Sequence, residues 1–135
     1  MTRISEFERM TGGEVDAAIS DPDYGDMNYR DIIEFCPAVT SEHLEKIWAL
    51  VSARTDTHYN TVKYPILNHG LVSTRILIEA VSEPEWVLRS AASRNSKLPL
   101  KYVMHLLGDS DPGVRENAKK GLGFHIDSLL LKFLK

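Results

Sequence analysis

The feature that most restricts this chain is a phrase that returns. Ser20-Asp21-Pro22, Ser82-Glu83-Pro84 and Ser110-Asp111-Pro112 each join an acidic residue to a proline. The last two lead into Val87-Leu88-Arg89-Ser90-Ala91-Ala92 and Gly113-Val114-Arg115-Glu116-Asn117-Ala118, so Arg89 falls on Arg115 and Ala92 on Ala118 at an offset of 26. A second phrase behaves alike: Asn68-His69-Gly70-Leu71 heads one apolar run and Asn95-Ser96-Lys97-Leu98 heads another, at an offset of 27. Self-similarity at such a period belongs to repeat architectures, in which one unit is a single supersecondary element.

The punctuation predicts that each unit is a pair of short helices. Proline after an acidic residue suits the first helical position, where its missing N–H has no partner and the preceding carboxylate can cap the free amides. Pro22, Pro84, Pro99 and Pro112 are therefore expected to begin helices, and Gly108 and Gly121 to end them in the left-handed conformation. There is no sustained period-2 alternation and no Asn-Gly or Asp-Gly turn between β-branched runs. The expected helices cover residues 5–10, 13–20, 27–36, 41–54, 57–67, 72–81, 84–93, 99–107, 112–120 and 125–134. Ser5 and Glu8 read as a capping box, and Leu44, Ile47, Trp48 and Val51 as one apolar stripe. Pro65, late in its helix, predicts a kink or an early stop.

Helices of about ten residues are marginal alone in water, so each pair must bury its stripe against the next. Val103 and Leu107, with Val114, Ala118, Leu129, Leu130 and Phe133, are the expected shared core. The chain's 135 residues, 43% hydrophobic and 26% charged, suit one soluble domain with a modest core. Residues 1–55 form its acidic cap or divergent repeats, and 56–82, 83–110 and 111–135 its helical repeats. No apolar run is long enough to span a membrane, and MTRISEFERM has no secretory h-region, so a cytoplasmic location is expected. The lone Cys36 excludes an internal disulfide and reads as a small buried hydrophobe.

The segment SEPEWVLRSAASRNSKLPLKYVMHLLGDSDPGVRENAKKG resembles HEAT-like repeats, and more closely the leucine-rich repeat variant, in which an Asp-Pro turn, a Val-Arg-x-x-Ala helix, an Asn and a Pro-led helix recur. The likeness is good over residues 83–121, fair over 56–82 and poor before 56. It implies an all-α fold, a short right-handed α-solenoid of helix pairs with an irregular N-terminal cap. Such repeats serve mainly as binding surfaces. In the variant family an N-terminal cysteine cluster can hold an iron–sulfur centre; with Cys36 alone that cofactor is not carried over, and none is expected. The resemblance also gives Arg89 and Arg115 a ladder role, holding neighbouring turns through an acidic residue, with Asp109 or Asp111 as the partner of Arg115. A ligand-facing role for the two arginines is the alternative.

Little in the chain points to catalysis. His43, His58, His69, His105 and His125 lack metal-ligand spacing, and no nucleophile elbow or phosphate-cradling glycine loop occurs. Asp21 with Asp23, and Asp109 with Asp111, fall in capping turns. The expectation is a non-enzymatic adaptor or small regulator that binds another protein through a groove lined by the second helix of each pair, using His43, Arg75, Lys101, Tyr102 and His105. The runner-up is a nucleic-acid contact through Arg94, Lys97, Lys119 and Lys120. Residues 1–55 carry 5 Lys and Arg against 11 Asp and Glu, whereas residues 56–135 carry 11 against 8. The sequence pI near 5.9 is low for a nucleic-acid binder. A third possibility is an acidic N-terminal segment that engages a basic target. That segment either caps the stack or supplies contacts for a homo-oligomer.

Overall fold

The structure, a computed structural model, describes residues 3–53 and 60–134. Among these the secondary structure is nine α-helices with no strand, so the chain is all-α. They fall into two compact units, Met1–Ser73 and Thr74–Lys135. The expected residues 54–59, with His58, lie outside the described residues.

The first unit holds α1 (Arg3–Glu8), α2 (Gly12–Ile19), α3 (Asp26–Phe35), α4 (Ser41–Ser52) and α5 (Asn60–Leu67). Alternate helices pack on one another: α1 on α3, α3 on α5, and α2 on α4, with α4 also against α5. The stripe expected on α4 is buried throughout: Leu44, Ile47, Trp48 and Val51. Val15, Ile32, Val62 and Ile66 join this core. Two helix starts are fixed by reciprocal caps. Thr11 accepts from the Glu14 amide while Glu14 returns a carboxylate to the Thr11 amide, and Thr40 and His43 make the same exchange. The box expected at Ser5 and Glu8 does not form, because Ser5 lies inside α1. Pro65 lies inside α5, which runs on to Leu67, the end expected from the sequence, so the early stop does not occur.

The second unit holds α6 (Thr74–Ala80), α7 (Trp86–Arg94), α8 (Leu100–Leu106) and α9 (Pro112–Phe133). Here α9 packs on both α7 and α8, and α7 on α6. Leu88, Ala91, Ala92, Leu98, Val103, Leu106, Val114 and Ala118 form the core.

Several expectations are corrected. Only Pro112 opens a helix at its first position, with Asp111 Oδ1 accepting from the Val114 amide at 3.0 Å. Pro99 is the cap residue of α8, and Pro84 precedes Glu85, the cap of α7. Pro22 lies in a turn closed by Asp21, whose Oδ1 accepts from the Asp23 amide, and α3 starts only after Gly25. The two helices expected over 112–120 and 125–134 are one, because Gly121 is not left-handed; no described glycine has a positive φ, Gly108 included. Gly121 is instead buried at a close approach, where an added Cβ would lie 2.8 Å from the Ser93 carbonyl oxygen. The last turn of α8 buries Leu106 while Leu107 is half-buried. Leu129, Leu130 and Phe133, expected in the core, are 49%, 54% and 85% exposed.

Candidate functional site

The arginines in register occupy equivalent positions. Arg89 Nη1 donates to the carbonyls of Glu83 and Pro84 at 2.9 and 2.8 Å; Arg115 Nη1 donates to those of Asp109 and Ser110 at 2.7 and 3.1 Å. In each case the acceptors lie six and five residues back, in the turn before the arginine's own helix. The guanidinium thereby satisfies carbonyls that the helix leaves outside its ladder. Arg89 also grips Asp109 through two bonds, Nε to Oδ2 at 2.8 Å and Nη2 to Oδ1 at 3.1 Å. This is the planar fork geometry that lysine cannot reproduce.

The side chains of Arg89 and Asp109 are 15% and 9% exposed. The Arg89 hydrogen bond holds the Asp109 carboxyl below its ordinary range, against the opposing effect of burial; the Asp111 amide adds to the lowering. Asp109 in turn raises the Arg89 guanidinium. The acidic partner expected for Arg115 is thus otherwise employed. Asp109 faces Arg89, Asp111 caps α9, and Arg115 meets Asp109 through its backbone carbonyl.

Of the five residues expected on a partner-binding groove, the structure brings three together. On α8, Lys101 and His105 are exposed, and Lys101 Nζ lies 5.1 Å from the centroid of the half-buried Tyr102 ring. Met104 (53% exposed) shares the face of Lys101 and His105 by its helical spacing, and Leu100 (38%) borders it. These two apolar members were missed, although the spacing of three from Lys101 to Met104 was available. Arg75, on α6, is exposed and paired with Glu79 at 2.8 Å.

His43 does not join this face. It is buried in the first unit, where its Nδ1 accepts from the Thr40 amide at 3.0 Å and Nε2 meets Asp16 Oδ1 at 2.8 Å. An accepting Nδ1 leaves Nε2 to carry the proton, so the ring is a cap and a strut between α2 and α4. Arg94, Lys97, Lys119 and Lys120 are all exposed, Lys119 within 3.8 Å of Glu116.

The first unit also contains an open cavity of about 440 Å³ lined by Ile19, Asp21, Tyr24, Asp26, Tyr29 and Leu50, among others. The rings of Tyr24 and Tyr29 meet edge to face at 5.0 Å, and the Tyr29 hydroxyl donates to the Ala18 carbonyl at 3.1 Å. Burial pushes the Tyr29 phenol up, with Tyr24, Asp21 and Asp26 adding to it. Among the described residues no group of three His, Cys, Asp or Glu side chains is placed to hold a metal ion, and no helix is long and apolar enough to cross a membrane. No protein-family model, curated protein or solved structure matches this chain.

Proposed function

We propose that the chain is a non-enzymatic helical-repeat module of the HEAT-like or leucine-rich-repeat-variant kind, a right-handed α-solenoid in design, that binds another protein in the cytoplasm. The observation that carries the repeat reading is the separation of its polar contacts. Cys36 Sγ meets the Met10 carbonyl across 26 residues, His43 meets Asp16 across 27, and Ser73 meets Glu45 across 28. In the second unit Asn117 bonds Ser90, and His125 the Leu98 carbonyl, each across 27. Side chains one period apart therefore touch in both units, including the stretch before residue 56 where the sequence likeness is poor. Alternate-helix packing and the matched arginines support the same reading.

The binding face is assigned to α8. A mixed surface of Lys101, Tyr102, Met104 and His105, cationic and apolar together, suits a protein partner with an acidic rim around an apolar anchor. The test is a photo-crosslinking amino acid placed at position 104 of the full chain in its native cell, with position 116 as control. Protein adducts at 104 that are lost in Lys101→Glu/His105→Glu support the reading, and adducts equal at both positions overturn it.

A second reading, nucleic-acid binding, draws on the exposure of Arg94, Lys97, Lys101, Lys119 and Lys120 in the second unit. It requires duplex binding that strengthens steeply as salt falls.

A further inference from the structure

The C-terminal half of α9 concentrates exposed large apolar side chains. His125 is the last residue of the helix seen to hold its own unit, through Leu98; from Ile126 to Leu134 every residue is exposed. Yet the sequence there is apolar. Leu122, Ile126, Leu129, Leu130 and Phe133 recur at helical spacing along one stripe, and the last four are 48%, 49%, 54% and 85% exposed. Leu131 and Leu134, at 62% and 82%, extend it around the helix.

The size of this stripe decides what it is for. Taking roughly 100 Å² for each exposed aliphatic side chain and about twice that for Phe133, it presents on the order of 500 Å² per copy, at the upper end for a patch on a monomer. Two such stripes placed face to face bury about 1,000 Å², the lower bound of a specific protein interface.

The charge pattern selects the occupant. Residues 121–134 contain one acid, Asp127, one base, Lys132, and no other Asp, Glu, Lys or Arg, so the segment is neutral. The stripe itself is net neutral and so meets no net like-charge repulsion when opposed to itself, the lysines at 119, 120 and 135 lying beyond its ends. A second copy also supplies an apolar helical stripe of matching length by construction, and an isologous contact closes at two.

We propose that this stripe is the contact between two copies of the chain, joined about a two-fold axis through the distal half of α9. The proposal is independent of the partner reading for α8, whose face is on another helix. The test is sedimentation of the full chain from the low micromolar to the hundred-micromolar range.

The expected result is a monomer–dimer equilibrium within that range, weakened more than about tenfold by Leu130→Glu/Phe133→Glu. The milder Leu129→Gln/Phe133→Gln should weaken it less. Far-UV circular dichroism and the thermal midpoint, taken on dilute samples, should be unchanged in both variants. A wild-type chain that stays monomeric throughout overturns the proposal. So does an unaltered dimer in both variants, or growth to larger species with no dimer plateau.

Discussion

Two glycines in one helix should respond unequally to the same substitution. In a helix interior, replacing glycine by alanine stabilises by about 1 kcal/mol, since glycine loses the most backbone freedom on folding. At Gly123 nothing lies within 4 Å of the new Cβ, so Gly123→Ala should show that gain almost undiminished. At Gly121 the Cβ would sit 2.8 Å from the Ser93 carbonyl oxygen and 3.5 Å from Val103 Cγ1. The first of these is backbone and cannot turn aside, so α7 or α9 must shift; overpacking of this kind costs about 1–3 kcal/mol. The propensity gain is common to both variants and cancels on comparison. Gly121→Ala is therefore expected to be less stable than Gly123→Ala by about 1–3 kcal/mol, read as a difference in urea midpoints at unchanged slope. A left-handed Gly121 would also resist alanine, so backbone Cα chemical shifts should be helical from 119 through 125. Equal midpoints for the two variants, or non-helical shifts at 121–124, would refute the close packing of α9 on α7.

Other consequences can be checked in parallel. Leu106→Ala should cost about 2–5 kcal/mol and Leu107→Ala clearly less, because Leu106 is fully buried and Leu107 is not; denaturant titration of both settles the register of α8. Asp109 has a folded-state pKa below its unfolded value, so the unfolded chain binds the extra proton as pH falls. Its contribution is present above the ordinary carboxylate range and lost as pH drops through the folded value, and Asp109→Asn should flatten that part of the stability–pH curve. His43→Ala removes a helix cap and should cost about 1 kcal/mol by thermal melting, whereas the loss of a groove residue would leave stability unchanged. Tyr29 should ionise above the ordinary tyrosine range in an ultraviolet titration, and Tyr29→Phe should remove that late-ionising phenol.

The helical class, the α4 stripe and most helix spans were legible because they rest on periodicity, which a sequence states directly. Gly121 was misread because a helix-ending glycine and one that admits a neighbouring backbone look alike; only the Ser93 carbonyl, 28 residues earlier, distinguishes them. The prolines marked helix starts only to within a few residues: Pro112 opens α9, whereas Pro99 is itself the cap of α8, Pro84 precedes the cap of α7, and Pro22 lies in the turn that Asp21 closes. Leu129, Leu130 and Phe133 had the spacing of core residues, but spacing fixes a face and does not say what lies opposite it. His43 illustrates the converse: its exposure was inferred from its polarity, while its third position after Thr40 made it a capping residue.

Cys36 is the only sulfhydryl in the chain, 4% exposed and lodged against the Met10 carbonyl. Alkylating reagents can reach it only when that corner of the first unit opens. The rate of labelling in native buffer is thus a direct meter of fluctuations around α3, with no engineered probe and no competing signal from the rest of the molecule.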